Sequence, residues 1–241
     1  MATNKIAYLT IDDAPSPTMR DKVDYLWRKE IPAVWFCRGD FLEQRPDLAI
    51  YAIQKGFVLG NHAYDHPYFS DLTIDEGLAQ IRRTDNIIEA LYERAGVERP
   101  VKCFRFPYGD KGHQNLDETG LARKQIFQTY LRQLGYTQPH WKRVTYDYYR
   151  TGGLQEDVDW YWTYDVMEWS IFANDPQRAV DSLEKVFARM EKDEPERGLG
   201  LNSGTSAEII LTHDHLETTA YFEPIIERLL EKGLTFMQAS W

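Results

Sequence analysis

Residues 6–15 read Ile6-Ala7-Tyr8-Leu9-Thr10-Ile11-Asp12-Asp13-Ala14-Pro15. The apolar start of this stretch reads as a buried strand, and Pro15 stops it. Two neighbouring carboxylates therefore stand where a strand ends. Side chains alternate along an extended chain, so Asp12 and Asp13 meet different surroundings. Carboxylates in different surroundings take different pKa values and different jobs: one can hold a metal while the other takes a proton. A solvated Asp-Asp turn has the same composition, and the rest of the chain decides between the two readings.

Outward from this stretch, strand and helix alternate. Residues 18–29 carry Met19, Val23, Leu26 and Trp27 at helical spacing, and 31–37 is a β-branched and aromatic strand. Residues 40–55 read as one helix stopped by Gly56, and 57–59 as a short strand. The helix at 73–94 opens with Thr73 and Glu76 in capping-box spacing. A strand at 101–104 and a helix at 116–134 follow. Residues 136–160 follow no clean period and form a long excursion. A strand near 160–166, a helix from 175 to 190, a charged loop at 191–206, a strand at 208–211, a helix at 221–231 and a last strand at 234–237 complete the chain.

Short strands apolar on both faces, alternating with helices, predict an α/β fold with a buried parallel sheet. About seven strand–helix units suit a distorted (β/α) barrel, with residues 1–241 as one domain. The polar clusters share one address. Asp12-Asp13, His62 to His66, Arg105 to Gly109, Met167-Glu168-Trp169 and Thr212 to His215 each follow a strand. In a parallel barrel those positions meet on the C-terminal face, where sites are built.

The chain has 241 residues, 43% of them hydrophobic, and a formal charge of −10. A negative field argues against nucleic acid and anionic lipid as partners. Cys37 and Cys103 are the two cysteines; the expectation is two buried thiols, with no disulfide framework. No apolar run approaches the ~18 residues of a membrane span, so membrane insertion is not expected. No signal peptide is legible, which places the chain as written in the cytoplasm, or in the secreted or envelope compartment if a leader was trimmed.

His62 and His66 are four apart, a spacing at which one helical turn puts both rings on one side. Two histidines and a carboxylate from another strand end make a facial set with open positions, the geometry of a catalytic metal. Asp13, His62 and His66 are therefore assigned to a divalent cation, Zn²⁺ first, with Co²⁺ or Ni²⁺ as alternatives. Its open positions would take a water and a substrate oxygen. Asp12 is then the general base for that water. Arg105, whose fork matches a carboxylate, would hold Asp12. A turn shaped by Pro107 and Gly109 would point the Tyr108 N–H at a developing oxyanion. His213 is the general acid, oriented and raised in pKa by Glu168 or Asp165. Trp169 and Leu211 would form an apolar pocket for an acyl methyl group. Asp214 is read as fixing loop backbone, and His215 as structural or exposed.

Together these motifs resemble the polysaccharide deacetylases of carbohydrate esterase family 4. Thr10-Ile11-Asp12-Asp13-Ala14-Pro15 is similar to the first family motif and Asn61-His62 through His66-Pro67 to the second. Arg105-Phe106-Pro107-Tyr108-Gly109, Asp165-Val166-Met167-Glu168-Trp169 and Leu211-Thr212-His213-Asp214 follow in order. The resemblance implies a hydrolase: metal-dependent removal of N- or O-acetyl groups from a glycan or oligosaccharide. The alternatives are hydrolysis of another non-peptide amide and a non-catalytic glycan-binding barrel. Ala14 stands where the family has Gly, which costs about 1 kcal/mol if the position needs a positive φ. Glu168 stands for the usual Asp, and its extra methylene puts its support of His213 in question. The excursion at 136–160 is longer than usual, and its aromatic rings are expected either to line the substrate groove or to cover the barrel's side. Oligomeric state is not legible.

Overall fold

Strand β1, Lys5–Ala14, holds the sheet together. In the computed structural model, which describes residues 5–113, 117–173, 180–193, 200–202 and 206–240, five further strands follow it. They are β2 (Ala33–Cys37), β3 (Val58–Asn61), β4 (Tyr164–Asp165), β5 (Glu208–His213) and β6 (Leu234–Phe236). All pairings are parallel, in the order β3-β2-β1-β5-β4, with β6 against the start of β1. Asp12 of β1 lies opposite His213 of β5, so the register alone brings two motifs together.

The described residues thus give six strands, one fewer than the seven expected, and the sheet does not close. The run at 101–104 makes only single bridges, Phe104 with Asn61 and Lys102 with Tyr136. It is hemmed between Pro100 and Pro107, which have no N–H to give a ladder, and Phe104 and Phe106 turn away into an aromatic cluster with Phe69 and Phe127. Across this seam Asn61 donates to Cys103 O (2.9 Å), Arg105 to Asn61 O (3.0 Å) and Trp160 to Phe104 O (2.8 Å). The strand expected at 160–166 contracts to β4 because Tyr161 and Trp162 stack on each other and lie against Gly109.

Helices cover the outer face: α1 (Met19–Arg28), α2 (Gly39–Gln44), α3 (Pro46–Gln54), α4 (Ile74–Ala95) and α5 (Glu118–Gln133), then, after the short α6 (Asp147–Thr151), α7 (Leu183–Met190) and α8 (Thr219–Glu231). The single helix expected at 40–55 is two, because Pro46 bars helical geometry at Arg45, which sits at φ −134°, ψ 52°. In α4 the Thr73–Glu76 capping box is formed. The helix read from 175 begins at Leu183 behind a Ser182 cap; residues 174–179 and 194–199, and the start of the helix read from 116, lie outside the described residues. Among the described residues no helix is long and apolar enough to cross a membrane. Both cysteines are free and buried.

Alternation splits the core in two. Leu9, Ile11, Trp35, Leu59 and Ile210 face the helices. Val34, Phe36, Val58 and Ile209 face inward, where they meet Trp141, Val144, Tyr146, Tyr149 and Trp160 of the excursion. Most of the excursion's rings therefore pack against the inward face of the sheet. Of the Tyr and Trp rings at 136–160, Tyr148 alone is exposed, at 39%. A sheet this short has too few inward side chains to close its own centre, and imported rings supply the missing volume.

Candidate metal and acid–base site

The bend after Asp12 creates the site. Asp13 takes a left-handed backbone (φ 63°) just where the β1–β2 register shifts, so the two carboxylates diverge. The positive φ that the first motif demands thus falls on Asp13 and not on Ala14, and the alanine is free of the strain its substitution for glycine suggested.

Asp12 points into the barrel. Its Oδ1 accepts from Arg105 Nη1 at 2.7 Å, and the same nitrogen donates to Thr10 Oγ1 at 2.8 Å. Arg105 is only 1% exposed, and its Nε donates to Trp160 O at 3.0 Å. A buried guanidinium is tolerable only with such partners. It also stacks 4.4 Å from the Phe36 ring centre.

Asp13 faces the histidines. His66 Nε2 lies 3.3 Å from Asp13 Oδ1, and His62 Nε2 lies 3.8 Å from it and 3.6 Å from Asp12 Oδ2. The two rings do not come from one helical turn, as their spacing suggested. They sit on an irregular loop in which Ala63 and His66 both have positive φ. Asn61 shapes that loop: its Oδ1 accepts from Ala63 N–H, and its Nδ2 donates to Ile81 O and Tyr136 Oη.

The donor set fits a cation. His62 Nδ1 lies 2.9 Å from Arg105 O; a carbonyl only accepts, so the proton is on Nδ1 and the Nε2 lone pair faces the carboxylates. Burial pulls His66 down to about 4, against the pull of Asp13 in the other direction, so at neutral pH that ring too offers a lone pair. Asp13 Oδ1 is buried without a hydrogen-bond partner. Burial, the largest influence, pushes the Asp13 carboxyl up, but the hydrogen bond from His215 together with the neighbouring His66, His62 and His213 outweighs it, and the group titrates well below the usual carboxylate range. Three lone-pair donors converge within 4.8 Å of one another, an arrangement that repels itself unless a positive charge lies between them.

On the opposite wall His213 Nδ1 lies 3.1 Å from Glu168 Oε1, which also accepts from Thr212 Oγ1 and from the His213 backbone. The extra methylene of glutamate therefore does not uncouple it from His213. Burial alone would lower the His213 pKa, but the charge and hydrogen bond of Glu168, aided by Asp165, raise it to about 10. Asp165 serves a different pair, Met167 N–H and Trp169 Nε1. Trp169 stands 6.4 Å from His213, ring centre to ring centre. Leu211 is buried two residues before His213, on the same face of β5. Tyr108 adopts φ 59° in the 107–109 turn; its exposed ring stacks on Tyr68 at 3.8 Å and meets His66 edge-on.

Asp214 clamps loops, accepting from Ser16 N–H and Oγ and from Lys22 Nζ. His215, expected to be structural or exposed, is partly exposed and reaches Asp13 Oδ2 at 2.8 Å. The signal for it was its spacing of two from His213, which in an extended chain puts both rings on one side.

The polysaccharide deacetylase family model matches residues 2–139. The chain belongs to the polysaccharide deacetylase family. The match takes in Asp12, Asp13, His62, His66, Arg105 and Tyr108. Relatives include a peptidoglycan-N-acetylglucosamine deacetylase of Listeria monocytogenes, 32% identical over 49% of this chain and 25% of its own. Another, from Bacillus cereus, is 28% identical over 76% of this chain and 62% of its own. The chain thus spans about a quarter of the first and under two thirds of the second. A family 4 carbohydrate esterase from Streptomyces lividans, solved with acetate, superposes with a TM-score of 0.61 over 99% of this chain and 95% of its own, at 23% identity. This likeness extends the shared fold beyond residue 139, to the segments that carry Glu168 and His213.

Proposed function

We propose that this chain hydrolyses acetyl groups, as N-acetyl amide or O-acetyl ester, from a glycan or oligosaccharide. The observation that carries the reading is the divergence of Asp12 and Asp13: one carboxylate is committed to Arg105, the other to converging histidine lone pairs, with His213 across the strand. The family membership, and relatives described as deacetylases of acetylated glycans, support the same reading.

Asp13, His62 and His66 would hold a divalent cation, and two imidazoles with one carboxylate suit Zn²⁺ best. Such a cation would polarise the acetyl carbonyl and make water acidic enough to attack near neutral pH. Asp12, held by Arg105, takes the proton of the attacking water. The Tyr108 N–H receives the developing oxyanion. His213, charged through its pairing with Glu168, gives a proton to the leaving nitrogen or oxygen as its bond to the acetyl carbon breaks. Acetate and a free amine or hydroxyl are the products. Trp169 and Leu211 take up the acetyl methyl.

The test is acetate release across acetylated chitin, peptidoglycan and xylan fragments, before and after strong chelation. Activity should vanish on chelation and return with Zn²⁺ or Co²⁺. Full activity in a verified metal-free sample would sink the reading.

A further inference from the structure

We propose that His215 is a positioning residue for Asp13, fixing which carboxylate oxygen faces the cation; the proposal rests on the metal reading of this site. Asp13 has two oxygens with opposite surroundings. Oδ1 is buried, has no hydrogen-bond partner and faces His62 and His66. Oδ2 lies 2.8 Å from His215 Nε2. An ionised carboxylate only accepts, so His215 donates from Nε2. His215 stands outside the converging donor group, which contains Asp13, His62 and His66.

The chain around His215 is built to hold it there. Asp214 N–H donates to Asp12 O at 2.8 Å, which continues the β1–β5 register past His213. The Asp214 side chain is locked to Ser16 and Lys22. The His215 carbonyl accepts from Lys22 Nζ (3.2 Å) and Thr219 Oγ1 (3.2 Å). Alternation then sends His213 and His215 to one side and Asp214 to the other, and the two imidazole centres lie 5.2 Å apart. One three-residue segment thereby presents the acid, a clamp and the partner of the metal-facing carboxylate. Without His215 the carboxylate is free to turn about its Cβ–Cγ bond, and its outer oxygen loses this hydrogen-bond donor. Partners of metal ligands typically account for about 10- to 100-fold in metal affinity.

The experiment titrates Zn²⁺ alone into metal-free protein against a competing chromogenic chelator. Wild type, His215→Ala, His215→Gln and Asp13→Ala are compared, and the thermal midpoint of each metal-free form is recorded. A glutamine amide nitrogen occupies nearly the place of Nε2, so it should restore the hydrogen bond. Expected are a Kd raised about 10- to 100-fold in His215→Ala, recovery in His215→Gln, and loss of tight binding in Asp13→Ala. Should His215→Ala fail to fold, His215→Asn, whose amide stops short of Asp13, takes its place. Wild-type affinity in the Ala or Asn variant overturns the proposal. So does a Gln variant as weak as Ala at an unchanged midpoint, because the imidazole would then be a ligand itself. Failure of the wild type to bind Zn²⁺ overturns instead the metal reading on which this rests.

Discussion

Asp12 and Asp13 share a peptide bond and a neighbour in His62, yet the left-handed turn at Asp13 gives them separate partners. Asp12→Asn should therefore leave Zn²⁺ affinity near wild type and lower kcat by about 10²- to 10⁴-fold, with circular dichroism to verify the fold around the now unbalanced Arg105. Loss of the metal in Asp12→Asn, and its retention in Asp13→Asn, would reverse the two assignments. The acid makes a prediction in pH. His213 is raised from 6.5 to about 10, so it stays charged through neutrality and its proton is lost as pH rises through about 10. Its pairing with Glu168 likewise stabilises the fold fully below pH 6.5, and that contribution fades as pH rises through 10. The alkaline limb of kcat for amide substrates should fall near pH 10. Glu168→Gln removes the charge that holds it there and should move the limb to lower pH; a limb that does not move would remove His213 from the acid's role. His213→Ala should slow an amide far more than an aryl acetate, whose leaving group needs little protonation. The residue types of this site were legible because chemistry restricts them to few choices. The partner of His215 was not, because its spacing of two from His213 shows which side the ring takes but not that it meets Asp13, 202 residues away.

Among the elements, strands and helices with a regular apolar period were legible, and those broken by tertiary context were not. The Thr73–Glu76 cap is a local device and formed as read. The run at 101–104 has a strand's composition, but its phenylalanines found better burial among other rings than a ladder offered. The excursion at 136–160 left its role open for the same reason: aromatic rings in a polar-looking loop give no sign of which surface they will bury. A column of contacts now gives the segment its role. Tyr8 meets Trp141 at 5.0 Å, Trp141 meets Trp160 at 5.0 Å, and Trp160 meets Phe36 at 5.6 Å. Phe36 underlies Arg105, which holds Asp12. Trp160→Ala should cost about 3–5 kcal/mol of stability, read by urea unfolding. In the folded fraction, turnover should fall by the same factor on a small acetyl ester and on a long oligosaccharide. A rise in KM confined to the long substrate would return the segment to the groove.

Across the whole molecule, parallel strands bring their C-terminal ends to one face, and this is why five separated motifs could be read as one site before their distances were known. The seam between β3 and β4 was beyond that reading, since closure depends on how many residues each strand keeps in register. The backbone around the site has a further consequence. Asp13, Ala63, His66, Tyr108 and Met167 all hold positive φ without being glycine, a conformation costing on the order of 1–2 kcal/mol each. Strain of this kind persists because the surrounding packing over-determines it. The site is thus a loaded spring held shut by the fold, and a cation that binds only the folded form would add to the latch. The thermal midpoint should climb with free Zn²⁺, each tenfold increase above Kd adding about 1.4 kcal/mol, a slope that calorimetry can read. Chelation would then do more than switch off turnover: it would shorten the protein's working life, making metal supply a control on abundance as well as on rate.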